Sequence, residues 1–266
     1  MGKPLFHVQH LDVSLPDMTR KPPLGAAPRI DILHGIDMQV RRGEVLGIVG
    51  GSGSGKSTLG RALLRLIEPT GGSVTFDGTD ITHLPEAAMR PLRRRMQMIF
   101  QDPMSSLNPR RRVGAIVGAP LKVHGFDDRA ARVSRALDQV GLPGMERRFP
   151  HELSGGQRQR VGIARAIAVE PAFILADEIV SGLDVSSQAT VLNLLESLVK
   201  KMDLTLAFIS HDLSVVRRLC DRIVVMDRGR IVEEGTAETL FADPRHDVTK
   251  ALLAAIPLPD PRQVWV

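Results

Sequence analysis

The sequence predicts an α/β fold interrupted by a helical insert, and three observations carry that prediction. The short apolar run Val45 to Val49 opens into a glycine-rich loop and then a helical pattern from Thr58 to Ile67, the strand, loop, helix order of a parallel-sheet protein. From about Gln101 to Glu170 the reading becomes mainly helical, with the clearest periodicity after Ser154. Apolar strand signals then return at Phe173 to Ala176, Thr205 to Ser210 and Arg222 to Met226, so the chain resumes the core it left.

Taken in order, Phe6 to Leu15 reads as a strand, and Ile32 to Val40 carries the alternation Ile36, Met38, Val40 of a half-buried one. Between them Pro16, Pro22, Pro23 and Pro28 mark residues 16 to 29 as a loop. Arg41-Arg42-Gly43 turns the chain into Val45 to Val49, which has the composition of a strand buried on both faces. A second strand pair is expected around Val74 to Phe76, ended by Asp77-Gly78, and Met96 to Phe100 leads to Gln101. Asp227-Arg228-Gly229 reads as a hairpin turn into Ile231-Val232. Pro244, Pro257, Pro259 and Pro261 suggest a tail that hugs the surface or a partner. No internal repeat or low-complexity tract is present.

With 266 residues, 43% hydrophobic and 24% charged, the chain can bury a substantial core, and an aromatic share of 3% without tyrosine makes that core aliphatic. No apolar run approaches the roughly 18 residues that cross a bilayer, and no signal-peptide pattern opens the chain, so a cytoplasmic location is expected. The one cysteine, Cys220, excludes an internal disulfide framework and is expected as a buried thiol. Lys+Arg 35 against Asp+Glu 30 leaves a net +5, which permits nucleic acid, anionic headgroups or nucleotide phosphates as partners. The runs Arg93-Arg94-Arg95 and Arg110-Arg111-Arg112 read as solvated faces, and with few aromatics to stack bases on, no nucleic-acid partner is expected.

Gly50-Gly51-Ser52-Gly53-Ser54-Gly55-Lys56-Ser57 satisfies GxxxxGK[ST] between a buried strand and a helix that opens at Thr58. The glycines let backbone N–H groups wrap a phosphate chain, Lys56 reaches the terminal phosphates, and the Ser57 hydroxyl suits Mg²⁺. A flexible linker has no need of Lys56-Ser57. Phe173 to Ala176 delivers Asp177 and Glu178 at a strand carboxyl end, where ligands of parallel sheets bind. Alone, two acids there read as a helix cap; beside a phosphate loop, Asp177 suits the metal shell and Glu178 the polarisation of water. His211 ends the strand Thr205 to Ser210 at the same kind of edge, placed to meet a γ-phosphate or orient the water.

Leu153-Ser154-Gly155-Gly156-Gln157 precedes a helix with Val161, Ala164, Ile167 and Ala168 on one face, and Ser154 with Gln157 also fits a capping box. In this company the residues resemble the LSGGQ signature of ATP-binding cassette (ABC) proteins, in that family's order: phosphate loop, glutamine loop, signature, Walker B acids, D-loop, switch histidine. The resemblance spans essentially the whole chain. It implies a RecA-like P-loop NTPase core with an antiparallel β subdomain and an inserted helical subdomain. The expected division is an α/β core at about 1–100 and 171–235, a helical subdomain at about 101–170 and a C-terminal extension at about 236–266. It also implies a head-to-tail pair of cassettes, in which Ser154, Gly155, Gly156 and Gln157 of one subunit face the phosphate loop of the other. Gln101 matches the glutamine loop that senses Mg²⁺, with Ser57 and Asp177 as its companions, and Asp184 matches the D-loop.

Phe100-Gln101-Asp102-Pro103-Met104-Ser105-Ser106-Leu107-Asn108-Pro109 and the segment Pro244 to Leu253 resemble the oligopeptide, dipeptide and nickel importer ATPases. The function this implies is ATP hydrolysis that powers peptide uptake, with nickel or another small solute, or a soluble single-cassette scaffold, as the alternatives. Its expected partners are a second cassette, the same or different, two membrane permeases and, indirectly, an extracytoplasmic solute-binding protein. Its expected place is the cytoplasmic face of the membrane. A P-loop kinase or GTPase would leave the signature and Asp184 without a role. The chain departs from the family at Ile179-Val180-Ser181-Gly182, at His246-Asp247-Val248, and at the adenine-stacking aromatic, whose nearest equivalent is Leu15 and whose loss leaves adenine to apolar contact.

Overall fold

The computed structural model describes residues 3–22 and 25–256. The chain opens with β1 (Phe6–Pro16), β2 (Arg29–Val40), β3 (Val45–Gly50), α1 (Lys56–Leu63), β4 (Gly71–Phe76), β5 (Thr79–Asp80), α2 (Glu86–Arg93) and β6 (Met96–Ile99). Helices follow as α3 (Pro103–Ser106), α4 (Val113–Val117), α5 (Ala119–Val123), α6 (Arg129–Gln139) and α7 (Gly155–Ile167). The chain then runs through β7 (Phe173–Asp177), α8 (Val185–Met202), β8 (Thr205–Ile209), α9 (Leu213–Leu219), β9 (Arg222–Asp227), β10 (Arg230–Thr236), α10 (Ala237–Ala242) and α11 (Asp247–Ala254).

Apolar strands with no polar face need cover on both sides, and β3, β7, β8 and β9 receive it. They lie in a six-stranded sheet ordered β10-β9-β3-β8-β7-β6, parallel except for the β9–β10 hairpin at one edge. Alternation along each strand divides the residues between two cores. Leu46, Ile48, Phe173, Leu175, Ala207 and Ile209 face α1 and a second sheet, whereas Val45, Val49, Ile174, Ala176, Leu206 and Phe208 face the helices of the other side.

The second sheet is antiparallel, ordered β2-β1-β4-β5. Phe6 joins it to the first, with ring centroids 4.8 Å from Phe76 and 4.7 Å from Phe173. α1 approaches β7 and β8 so closely that a Cβ on Gly60 would lie 2.8 Å from a Leu175 methyl group. A buried ion network secures the corner where the sheets meet: the Arg222 guanidinium donates to Glu44 at 2.7 Å, and also to Glu234 and the Gln39 carbonyl.

Several boundaries differ from the sequence expectation for local reasons. β2 begins at Arg29, ahead of Ile32, because Arg29 and Ile30 pair with Pro16 and Leu15. The described residues of the loop between β1 and β2 include a 3-10 turn, Met18–Arg20, whose Thr19 N–H donates to Asp17. α1 starts earlier, at Lys56, and stops at Leu63, because Arg65 takes φ +51° and donates its guanidinium to the Ile81 carbonyl at 2.7 Å. The tail forms α10 and α11, and Val248, Leu252, Leu253 and Ile256 pack on the core. Glu233 anchors α11 by accepting from the N–H groups of Arg245 and His246 at 2.9 and 3.0 Å. Pro23, Pro257, Pro259 and Pro261 lie outside the described residues. Cys220 is buried, which pushes its thiol pKa up. Among the described residues no helix is long and apolar enough to cross a membrane.

Candidate functional site

Parallel strands bring their carboxyl ends to one edge of the sheet, and there β3 ends at Gly50, β7 at Asp177, β8 at Ile209 and β6 at Ile99. Ligands of such sheets bind beyond that edge. The loop after β3 turns through Gly50, Gly53 and Gly55 with φ of +153°, +75° and +100°, conformations open to glycine and closed to most side chains. Gly55 is the N-cap of α1, so the loop delivers a helix N-terminus and its N–H groups to the same place.

Lys56 is buried and donates its ammonium to the Gly50 and Gly51 carbonyls at 2.9 and 2.8 Å. Burial lowers its pKa, while the charges of Glu178 and Asp177 act the other way. The Ser57 hydroxyl donates to Asp177 Oδ1 at 3.0 Å. Asp177 is only 3% exposed, and burial raises its pKa against the Ser57 hydrogen bond and the charges of Arg61 and Lys56. A carboxylate that burial has stripped of water, beside a hydroxyl oxygen, suits a hard cation. Among the described residues no group of three or more His, Cys, Asp or Glu side chains is placed to hold a metal, so a cation here needs a phosphate ligand and water to complete its shell.

Glu178 takes φ +48°, strained for a residue with a Cβ. Three bonds hold it there: its N–H donates to the Ile209 carbonyl at 3.0 Å, and its carbonyl accepts from the Ser181 N–H at 3.1 Å and the Ser181 hydroxyl at 2.8 Å. The turn aims the carboxylate at Gln101, whose amide donates to Oε2 at 3.0 Å, and at His211, whose Nδ1 lies 3.4 Å from Oε1. Lys56, Ser57, Glu178 and His211 thus line one cleft of about 520 Å³, and Asp177 and Gln101 stand behind its walls, joined to Ser57 and Glu178 by their hydrogen bonds. Ser52, Gly53, Ser54, Gly55, Thr58 and Ile32 line it as well.

The signature residues stand elsewhere. Ser154 caps α7, accepting from the Gln157 N–H at 3.3 Å while its own N–H donates to Gln157 Oε1 at 2.9 Å, so the capping box is formed. Gly156 packs against Ser187 of α8, and neither Ser154, Gly155, Gly156 nor Gln157 lines the cleft. Asp184 is also absent from its walls. It caps α8, accepting from the Ser187 N–H at 2.9 Å and from the Ser186 and Ser187 hydroxyls at 2.7 Å each, bonds that lower its pKa.

Two features of the cleft escaped the sequence reading. Ile32 lines the cleft beside the phosphate loop, its carbonyl 3.4 Å from where a Gly55 Cβ would lie, whereas Leu15 pairs with Ile30 and does not line it; both side chains pack on the core. The β9–β10 turn supports the loop from behind: Gly229 donates its N–H to the Ser54 carbonyl at 3.0 Å and accepts from the His34 N–H at 3.0 Å. The Asp227-Arg228-Gly229 turn was legible, but its position against the phosphate loop depends on β9 lying next to β3.

A family model described as ABC transporter matches residues 33–181. A Brucella ovis protein bearing the name peptide import ATP-binding protein is 54% identical over 87% of this chain and 74% of its own length. The oligopeptide transport ATP-binding protein OppF of Streptococcus mutans is 48% identical over 89% of this chain and 79% of its own. The fold matches cbiO1 from Clostridium perfringens, part of the ABC transporter complex cbiONQ, with a TM-score of 0.77, 29% identity and coverage of 91% and 92%. It also matches a dimeric post-hydrolysis structure of the ATP-binding cassette MJ0796 bound to ADP and Pi, at a TM-score of 0.76 and 28% identity, covering 87% of this chain and 98% of that one. A phosphate loop at the carboxyl edge of a parallel sheet, a displaced signature and these relatives agree: the chain belongs to the ABC transporter family.

Proposed function

We propose that this chain is the ATP-hydrolysing subunit of an importer that powers peptide uptake across the cytoplasmic membrane. The observation that carries the reading is Glu178, held in a strained turn between Gln101 and His211 at the mouth of the phosphate loop. The peptide assignment rests on the names of the relatives.

In this reading the loop N–H groups and Lys56 hold the β- and γ-phosphates, and Lys56 exchanges the Gly50 and Gly51 carbonyls for phosphate oxygens. Ser57 and Asp177 hold Mg²⁺, with Gln101 beside them; the ion, when bound, neutralises charge that develops on the transferring phosphoryl group. Glu178 accepts a proton from water as its oxygen bonds to the γ-phosphorus. The bond to the β–γ bridging oxygen breaks with its electron pair, giving ADP and inorganic phosphate. His211 orients the water or meets the γ-phosphate across the 3.4 Å contact with Glu178.

Because Ser154 lies at the exposed start of α7, away from its own cleft, the site is completed by a second cassette. Ser154, Gly155, Gly156 and Gln157 then face the partner's γ-phosphate and Asp184 lies at the junction. ATP draws the cassettes together, and two permeases bound outside them follow the closure. The insert of about 101–170 serves as the helical subdomain between core segments of about 1–100 and 171–235, with an extension at about 236–266. The chain sits on the cytoplasmic face of the membrane, reached by an extracytoplasmic solute-binding protein only through the permeases.

The test is affinity purification of tagged Glu178→Gln with ATP from detergent-solubilised membranes, with every co-purifying chain identified by mass spectrometry. Two multi-span permeases are expected, with or without a second cassette. Soluble partners alone, with ATP binding intact, would leave an ATP-driven scaffold as the better account, and nickel-type permeases would move the solute from peptide to metal.

A further inference from the structure

Gln101 reaches Glu178 from a segment that has left the sheet. β6 ends at Ile99, and residues 100–106 run from there to the end of α3. Gln101 is exposed, and its amide meets Glu178 Oε2 at 3.0 Å. Within the segment the bonds are local: Ser106 donates its N–H to the Asp102 carbonyl and Ser105 its N–H to Asp102 Oδ2, both at 3.2 Å. Bonds of that kind curl the chain without fixing where it sits on the core.

A side chain of α7 grips the segment at both ends. The Arg165 guanidinium donates from Nη1 to the Ser106 carbonyl at 2.7 Å and lies over the Phe100 ring, 5.7 Å from its centroid. Phe100 is 43% exposed, so the contact covers a ring that the core leaves partly open. Arg165 itself is half-buried, and burial lowers its pKa with no carboxylate acting the other way. A guanidinium drawn from water without a paired acid is costly unless its N–H groups are used, and here one bonds the segment that carries Gln101. Arg165 stands on the helix that Ser154 caps, roughly 16 Å along the axis from that cap.

We propose that Arg165 is a positioning residue for hydrolysis: by holding Phe100 and Ser106 it places the Gln101 amide against Glu178, and it ties that placement to the helix whose capped end carries the signature residues. The proposal rests on the reading of Gln101 and Glu178 as parts of the ATPase site. Arg165 touches no reacting atom, and its effect passes through Gln101. Without the grip the segment shifts, Glu178 Oε2 loses its donor, and the carboxylate is free to turn from the water. A displacement of about 1 Å at a reacting group lowers the rate by about 100-fold. Binding of ATP, which depends on the phosphate loop, is left as it was.

The experiment is a double-mutant cycle on the full-length chain with Mg²⁺: wild type, Arg165→Met, Gln101→Ala and the two combined, each read as phosphate-release rate at saturating ATP and as ATP affinity. Methionine keeps the helix and the packing of the stem but has no donor. Arg165→Met is expected to slow phosphate release by about tenfold to 100-fold, with ATP affinity within about threefold of wild type. In the Gln101→Ala background the same substitution should change the rate by less than about threefold, because the group it places is gone. Arg165→Lys, which keeps a donor for the Ser106 carbonyl, should recover at least about threefold of the lost rate. An equal loss in both backgrounds, an unchanged rate in Arg165→Met, or a fall in ATP affinity that matches the fall in rate overturns the proposal. If Arg165→Met does not fold, Phe100→Leu, at an exposed position, takes its place in the cycle and the same outcomes decide. A Gln101→Ala rate equal to wild type removes Gln101 from the site and the proposal with it, while the phosphate loop and Glu178 keep their roles; a wild-type chain that releases no phosphate defeats the ATPase reading itself.

Discussion

Replacing Glu178 with glutamine separates binding from chemistry. The carboxylate accepts from Gln101 at 3.0 Å and lies 3.4 Å from His211, with its side chain 21% exposed. Glutamine has the same shape, and its carbonyl oxygen can keep the bond from Gln101, so the turn at φ +48° has no reason to relax. What disappears is the negative charge and the capacity to take a proton. A positioned general base contributes about 10²–10⁴ in rate, or about 2.7–5.4 kcal/mol at 1.36 kcal/mol per tenfold. ATP affinity should hold or tighten, because the charge removed would repel the triphosphate. Single-turnover phosphate release and an ATP titration on the full-length variant read the two effects separately. Turnover within about threefold of wild type, with binding intact, would refute the assignment of Glu178 as the base. Loss of binding together with turnover would refute it too, since the carboxylate would then be holding the site's shape.

Other expectations follow from the same cleft. Lys56→Ala removes the donor to two carbonyls of the loop, which should cost about 1–3 kcal/mol in thermal unfolding and abolish nucleotide binding in an ATP titration. Asp177 has its pKa raised above the ordinary 3.8 by burial, so the folded chain holds that proton more tightly than the unfolded one. The stability this gives is complete below about pH 3.8 and is lost as pH rises through the raised value. In metal-free buffer Asp177→Asn should therefore unfold at a higher temperature than wild type at neutral pH, with the difference shrinking in acid, while Mg²⁺-dependent ATP affinity falls. Gly229→Ala would place a Cβ 2.1 Å from the Ile32 carbonyl at φ +74°, whereas Gly78→Ala, at φ +79°, meets nothing within 4 Å. The first should cost about 1–3 kcal/mol beyond the second and weaken ATP binding, because the hairpin turn is bonded to Ser54 of the phosphate loop and to His34; equal effects in thermal unfolding would contradict this account.

The phosphate loop, Asp177, Glu178 and the strands that carry them were legible because each is a local pattern: an apolar run, then the residues delivered at its end. The capping box at Ser154 and Gln157 was legible for the same reason, since all its bonds lie within four residues. Ends of elements were less so. β2 extends to Arg29 and α1 stops at Leu63 on account of partners in β1 and of carbonyls at Ile81 and Leu84, distant in sequence. Composition set the aliphatic character of the core, but only side-chain alternation in the finished sheet decides that Ile48 faces α1 while Val49 faces the opposite helices.

By itself, then, the sequence determined which residue types come at the end of which strand, and so the chemistry available to the site. Only the tertiary structure decided which of them meet. Gln101 and Glu178 are 77 positions apart and join at 3.0 Å because β6 and β7 are neighbours; Ser57 and Asp177, 120 apart, join because α1 lies over β7. Ile32, unremarkable in its strand pattern, becomes a wall of the cleft because β2 passes beside Gly55. The physical reason is range: backbone propensity and side-chain periodicity act over one or two turns of chain, whereas the order of strands is set by how two faces of apolar side chains are buried at once.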